Sequence, residues 1–172
     1  MVNEMVYTAK PQNKTSKSVF LGLLGTSMLL VLAAMIIPKY TGIVWMFALG
    51  FITATIYVYN RFVGSVYRYE INNEGGRPSF AVAMQMGNTA RTMARVDLSS
   101  IIEVKRMSRA EYRAHKCDKG SLKYPYFPTM FAPEVYLVEI RSEFENADIF
   151  IEASEEFISA LESYVTSSDE QF

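Results

Sequence analysis

Two apolar runs, residues 18–37 and 41–59, follow one another near the N-terminus, and neither carries a charged side chain. Each is close to the about 20 residues that a helix needs to cross a hydrocarbon core. Only Pro38, Lys39 and Tyr40 separate them, which leaves room for a tight helical hairpin and little else. A signal sequence has a shorter apolar region and no second span directly behind it. A buried hairpin of a soluble protein would show a polar stripe, and neither run has one. The sequence therefore predicts an N-terminal segment at 1–17 and a transmembrane hairpin at 18–63, its second span reaching about residue 61. A domain at 64–166 and a short tail at 167–172 complete the chain.

The flanks give an orientation. Lys10, Lys14 and Lys17 precede the first run, Arg61 and Arg68 follow the second, and the connector offers Lys39 alone. The excess of Lys and Arg on the cytoplasmic side of membrane proteins predicts a multi-pass protein of the cell membrane with both termini cytoplasmic. The interior polar groups of the runs are the hydroxyls of Ser18, Thr26, Ser27, Thr53 and Thr55, which can bond back to their own helix. Conduits usually carry ionisable groups at depth, so the hairpin reads as an anchor. Small residues let helices approach closely, and Gly22 with Gly25, and Gly50 with Ala54, are the candidate contact steps.

After Ser65 the apolar period changes from helical to two. Tyr67, Tyr69 and Ile71 alternate with Val66, Arg68 and Glu70. The same alternation holds for Phe80, Val82, Met84 and Met86, and then for Thr92, Ala94, Val96 and Leu98. These are half-buried strands, punctuated by turns at 72–76 and at Gly87-Asn88. A fourth strand is expected at 101–107. Ser108 and Glu111 form a capping box, which predicts a helix running to Lys119 and stopping at Gly120. The stretch 123–133 holds three prolines and four aromatic residues. It reads as an ordered aromatic loop and excludes a helix or a central strand. Two more strands are expected from Val135 and up to Ile151, with a turn at 143–146. Ser154 caps a last helix, whose stripe of Phe157, Ile158, Leu161 and Val165 should cover an open side of the sheet. The fold class is α+β, with a bent antiparallel sheet or barrel, an inserted helix and a C-terminal helix.

Three stretches carry a family likeness: 67–71 (YRYEI), 94–104 (ARVDLSSIIEV) and 149–157 (IFIEASEEF). In them and in its element order over about 64–166, the chain resembles bacterial pleckstrin-homology-like (PH-like) domains that follow a pair of transmembrane helices. That family has seven strands, against six read here, and a shorter connection than 108–133. The resemblance implies a non-enzymatic binding module. The resemblance would suggest phosphoinositide binding, but in lipid-binding members basic residues cluster at the first hairpin loop; here that loop offers only Arg77 beside Glu74, so the sequence does not support such a site and a protein-binding role is expected.

Charge is distributed unevenly. Residues 88–133 carry nine basic and four acidic side chains, and residues 134–172 one basic and eleven acidic. Arg109, Arg113 and Lys116 fall at i, i+4 and i+7, one face of the predicted helix. With Lys123, Tyr124, Tyr126, Phe127 and Phe131 they form the candidate lipid or partner surface. Each basic group near an anionic leaflet is worth about 1 kcal/mol. His115 and Cys117 are too few for a zinc site, and no nucleophile elbow or phosphate loop occurs. The sequence thus predicts no catalytic residue, no metal, no cofactor and no nucleic-acid partner. The expectation is a bilayer-anchored domain that binds a protein partner or itself. The alternative is a binder of anionic lipid headgroups through helix 109–119 and loop 123–133.

Overall fold

The computed structural model describes residues 4–11, 14–74, 77–118, 120–141 and 146–169. Among them are four α-helices and eight strands in two four-stranded sheets. The hairpin is formed by α1 (Lys14–Ile36) and α2 (Thr41–Val58), joined by a 3-10 turn at Pro38–Tyr40. Both helices are long and apolar enough to cross a membrane, and only 11% and 17% of their most apolar windows is buried. Their apolar side chains are largely exposed, with Met35, Ile36 and Met46 about three-quarters so. The internal hydroxyls do bond back: Thr26, Thr53 and Thr55 donate to the carbonyls of Gly22, Leu49 and Phe51 at 2.7–2.9 Å. The expected glycine steps do not make the helix contact. Open space surrounds Gly22, Gly25 and Gly50, and the buried positions are Ser16, Ser27 and Ala34 on α1 and Ala48, Thr55 and Val58 on α2. One buried pair on each helix, Ser27 with Ala34 and Ala48 with Thr55, stands seven residues apart, a spacing that keeps side chains on one seam.

The first strand precedes the hairpin. β1 (Met5–Ala9) lies antiparallel to β2 (Ser65–Glu74), with Tyr7 opposite Tyr69. The hairpin is therefore inserted between two neighbouring strands of one sheet, and its two ends must meet on the same side. β3 (Arg77–Met86) and β4 (Thr89–Asp97) complete the sheet in the order β1-β2-β3-β4. Gly87 takes φ 57° in the two-residue turn between them, the left-handed conformation such hairpins need. Met93 is the extra residue of a bulge opposite Val82 and Ala83.

A 3-10 turn at Leu98–Ser100 leads to the second sheet, ordered β5-β7-β8-β6. Its strands are β5 (Ile101–Ser108), β6 (Leu122–Pro125), β7 (Glu134–Arg141) and β8 (Asn146–Ile151). β1 and β6 are the two strands beyond the six expected. β6 pairs parallel with β8 at the sheet edge, where Pro125 is tolerated. The helix α3 (Arg109–Lys116) is shorter than expected and ends with Cys117 at its C-cap; Lys119 lies outside the described residues, as do Gly75, Gly76 and 142–145 of the expected turns. Ser154 caps α4 (Glu155–Asp169) through the Phe157 amide at 3.3 Å.

Alternation sorts the strands into two cores. Tyr67, Tyr69, Ile71, Phe80 and Val82 from the first sheet meet Val138, Ile140, Ile149 and Ile151 from the second, and Phe157 and Leu161 of α4 close that core. The opposite face of the second sheet is also covered. There Val135, Leu137 and Phe150 pack with Met107, Phe127 and Ala132, under Tyr112 of α3. Burying both faces of one sheet requires a second layer, and α3 with the aromatic loop is that layer.

Candidate functional site

The site is built where α3, the aromatic loop and the end of α2 converge. The capping box sets where α3 begins: the Glu111 amide donates to Ser108 Oγ at 3.3 Å, and the Ser108 amide to Glu111 Oε2 at 2.7 Å. The Ser108 amide first, and then the Ser108 side chain, hold the Glu111 carboxyl below its usual range. Tyr112 then inserts edge-on between Phe127 (5.5 Å) and Phe150 (4.9 Å). Beside it, Arg109, Arg113 and Lys116 line a cleft of about 290 Å³. Phe127, Met130 and Val135 form its apolar floor, and Phe62, from the end of α2, forms one wall. Among the described residues, no carboxylate lines it.

Phe131 marks the rim. It is the one non-glycine among the described residues with positive φ, 65°. For a bulky side chain this costs about 1–3 kcal/mol and occurs where surroundings enforce it. Its ring is half exposed and lies 4.7 Å from the Arg109 guanidinium. The Arg109 amide donates to the Pro133 carbonyl at 3.0 Å, tying the loop's end to the start of α3. The strained turn thus holds an aromatic ring outward beside a cation.

Five of the eight sequence-predicted residues therefore meet at one cleft: Arg109, Arg113, Lys116, Phe127 and Phe131. Three do not. Lys123 turns to Asp148, with Nζ 2.5 Å from Oδ2, and the same oxygen takes Ser121 Oγ at 2.5 Å and His115 Nε2 at 2.7 Å. Burial alone would raise the Asp148 carboxyl, but the bonds from Lys123, Ser121 and His115 outweigh it and hold it below its ordinary value. Tyr124 and Tyr126 stack on each other at 5.9 Å, and Tyr126 meets Tyr67 of the main core at 6.4 Å in a tilted contact.

Sequence reasoning used Arg61 only as a flanking charge. It is the hinge pin of the molecule. A π-turn at Tyr59–Val63 ends α2, and from it Arg61 Nη1 donates to Tyr67 Oη (2.5 Å) and to the Phe127 carbonyl (3.0 Å), while Nη2 donates to the Pro125 carbonyl. Its guanidinium also lies over Phe62 and Tyr67 at 5.1 and 5.2 Å. Gly64 follows because a Cβ there would come within 3.1 Å of the Tyr59 ring. A planar fork with several donors suits this task, and lysine could not replace it.

No protein-family model matches this chain, and no curated protein matches it.

Proposed function

We propose that this chain is a non-enzymatic membrane protein whose hairpin spans the cell membrane and mounts a cytoplasmic PH-like domain for binding a protein partner or a second copy of itself. The observation that carries the reading is the insertion of the hairpin between β1 and β2. Residues on both sides of the hairpin must share one compartment, and the basic flanks favour the cytoplasm. Contiguous apolar exposure of this size marks a surface that meets lipid or protein. The Arg61 clamp gives the domain a fixed pose at the helix end, which an interaction platform needs and a flexible tether lacks. The PH-like reading is supported by a first sheet of four strands, a β5-β7-β8 meander and a closing C-terminal helix; β1 supplies the seventh strand and β6 adds an eighth. Strand addition at β4 is disfavoured, because the Met93 bulge disrupts that edge and Tyr126 Oη reaches its carbonyl at 3.5 Å, so partners are expected on side-chain surfaces.

The test uses intact cells expressing the full chain. A membrane-impermeant maleimide should leave Cys117 unlabelled and should label a cysteine at position 42 in Gly42→Cys, Cys117→Ser. Labelling of Cys117 from outside would overturn the orientation. A maleimide photocrosslinker loaded on Cys117 in isolated membranes should give one discrete adduct; monomer alone would refute the partner reading.

A further inference from the structure

The cleft between α3 and the aromatic loop joins two surfaces that rarely meet in a small domain. Its floor is apolar, made by Phe127, Met130 and Val135, and its rim is cationic, made by Arg109, Arg113 and Lys116. A purely structural cleft gains nothing from three like charges, which repel one another at the mouth. An anion would relieve that repulsion, and an apolar floor favours a ligand that carries hydrocarbon next to its charge. Phe62 places the cleft at the end of the second apolar helix. A ligand seated there and extending past Phe62 would run along the exposed apolar side of the hairpin.

We infer that this cleft is a binding site for one anionic glycerophospholipid of the leaflet that holds the cytoplasmic end of the hairpin. This rests on the membrane reading above and adds a stoichiometric ligand to it. The phosphate lies among Arg109, Arg113 and Lys116, and the glycerol with the first acyl carbons lies on the floor. Size limits the portion enclosed: about 290 Å³ is at the low end of small-molecule sites, about 300–1,000 Å³. The cleft therefore takes a headgroup and glycerol, while the acyl tails stay in the bilayer. Phe131, held outward in its left-handed turn over Arg109, stands at the rim as an aromatic ring of the kind that favours the membrane interface. Lys123 takes no part, since Asp148 holds it.

The test places the full chain in nanodiscs of phosphatidylcholine with one-fifth phosphatidylglycerol, and counts lipids retained after ejection by native mass spectrometry. The wild type should keep one phosphatidylglycerol in preference to phosphatidylcholine. Arg109→Gln, Arg113→Gln and Lys116→Gln together should weaken that retention about 100-fold, from roughly a fivefold factor for each cation. Removing the same charge elsewhere, by Arg77→Gln, Arg91→Gln and Lys105→Gln, should change it less than threefold, a margin set roughly at one cation's worth. Ala132→Leu, which enlarges a buried side chain that also lines the cleft and keeps every charge, should also lose the lipid. Equal loss in the two triple variants would reduce the effect to general attraction and overturn the site. So would full competition by soluble glycerol 3-phosphate, which would make a free phosphate ester the ligand. A chain that enters nanodiscs and retains no lipid refutes this inference alone, whereas a chain that fails to enter them refutes the membrane reading as well.

Discussion

Two carboxylates in the packed domain show how neighbours decide what a charge does. Asp148 is almost fully buried and accepts bonds from Lys123, Ser121 and His115. Its lowered value means that the unfolded chain binds the proton more readily. The stabilisation is therefore complete above the ordinary value of 3.8 and is lost as pH falls through the lower folded value. Lys123→Met leaves this carboxylate short of its cation and should cost about 3 kcal/mol at pH 7, read as a lower Tm of the purified protein in detergent. That difference should shrink below pH 3.8; a constant difference would mean that packing and not charge is at stake. Glu152 is the opposite case. Burial raises its carboxyl despite bonds from the Thr129 hydroxyl and amide. The folded state then holds the proton more tightly than the unfolded one. Ionising Glu152 removes stability as pH rises above its ordinary 4.5. Glu152→Gln should accordingly raise Tm at pH 7 and leave it unchanged near pH 4; an unchanged Tm at both would reject the assignment.

At the level of elements, α3 has eight residues, too few to persist alone. Its capping box and the Tyr112 insertion must hold it. Ser108→Ala should cost about 1 kcal/mol and should speed hydrogen exchange in 109–116 more than in α4. Equal protection in both helices would show that the cap is dispensable. The same element shows what was legible in the sequence. Spacing placed Arg109, Arg113 and Lys116 on one face, because i, i+4 and i+7 depend on local geometry alone. It missed the fate of Lys123, whose partner Asp148 stands 25 residues later, because spacing says nothing about pairs across a sheet. The inward faces of β2 and β3 could be read from their alternation. β1 could not, since five residues with a weak pattern pair with a strand some 60 positions on, across the whole hairpin. β6 was hidden by Pro125, which argues against a central strand but is tolerated at an edge. The cleft was only half visible: its cations are a local pattern, while Phe62, Tyr112 and Val135 reach it through tertiary packing.

For the molecule as a whole, the question is whether hairpin and domain move as one body. Among the described residues, the β1–β2 ladder ties the chain before α1 to the chain after α2, and Arg61 joins the end of α2 to β2 and the aromatic loop. The ladder alone leaves a hinge, since Lys10, Pro11 and Gly64 belong to no strand or helix. Arg61 removes that freedom because its donors reach three separate acceptors, Tyr67, Phe127 and Pro125. Spin labels on Cys117 and on Gly42→Cys span both parts, and electron–electron resonance should give one narrow distance distribution in nanodiscs. Arg61→Lys keeps the charge and loses the fork. It should broaden the distribution while the far-ultraviolet circular dichroism stays the same, because every strand and helix remains. It should also reduce lipid retention at the cleft, since Phe62 and Phe127 both line it and the guanidinium lies over each of them, at 5.1 and 6.0 Å. An unbroadened distribution in Arg61→Lys would show that the strand ladder alone fixes the pose, and that Arg61 contributes charge and not geometry.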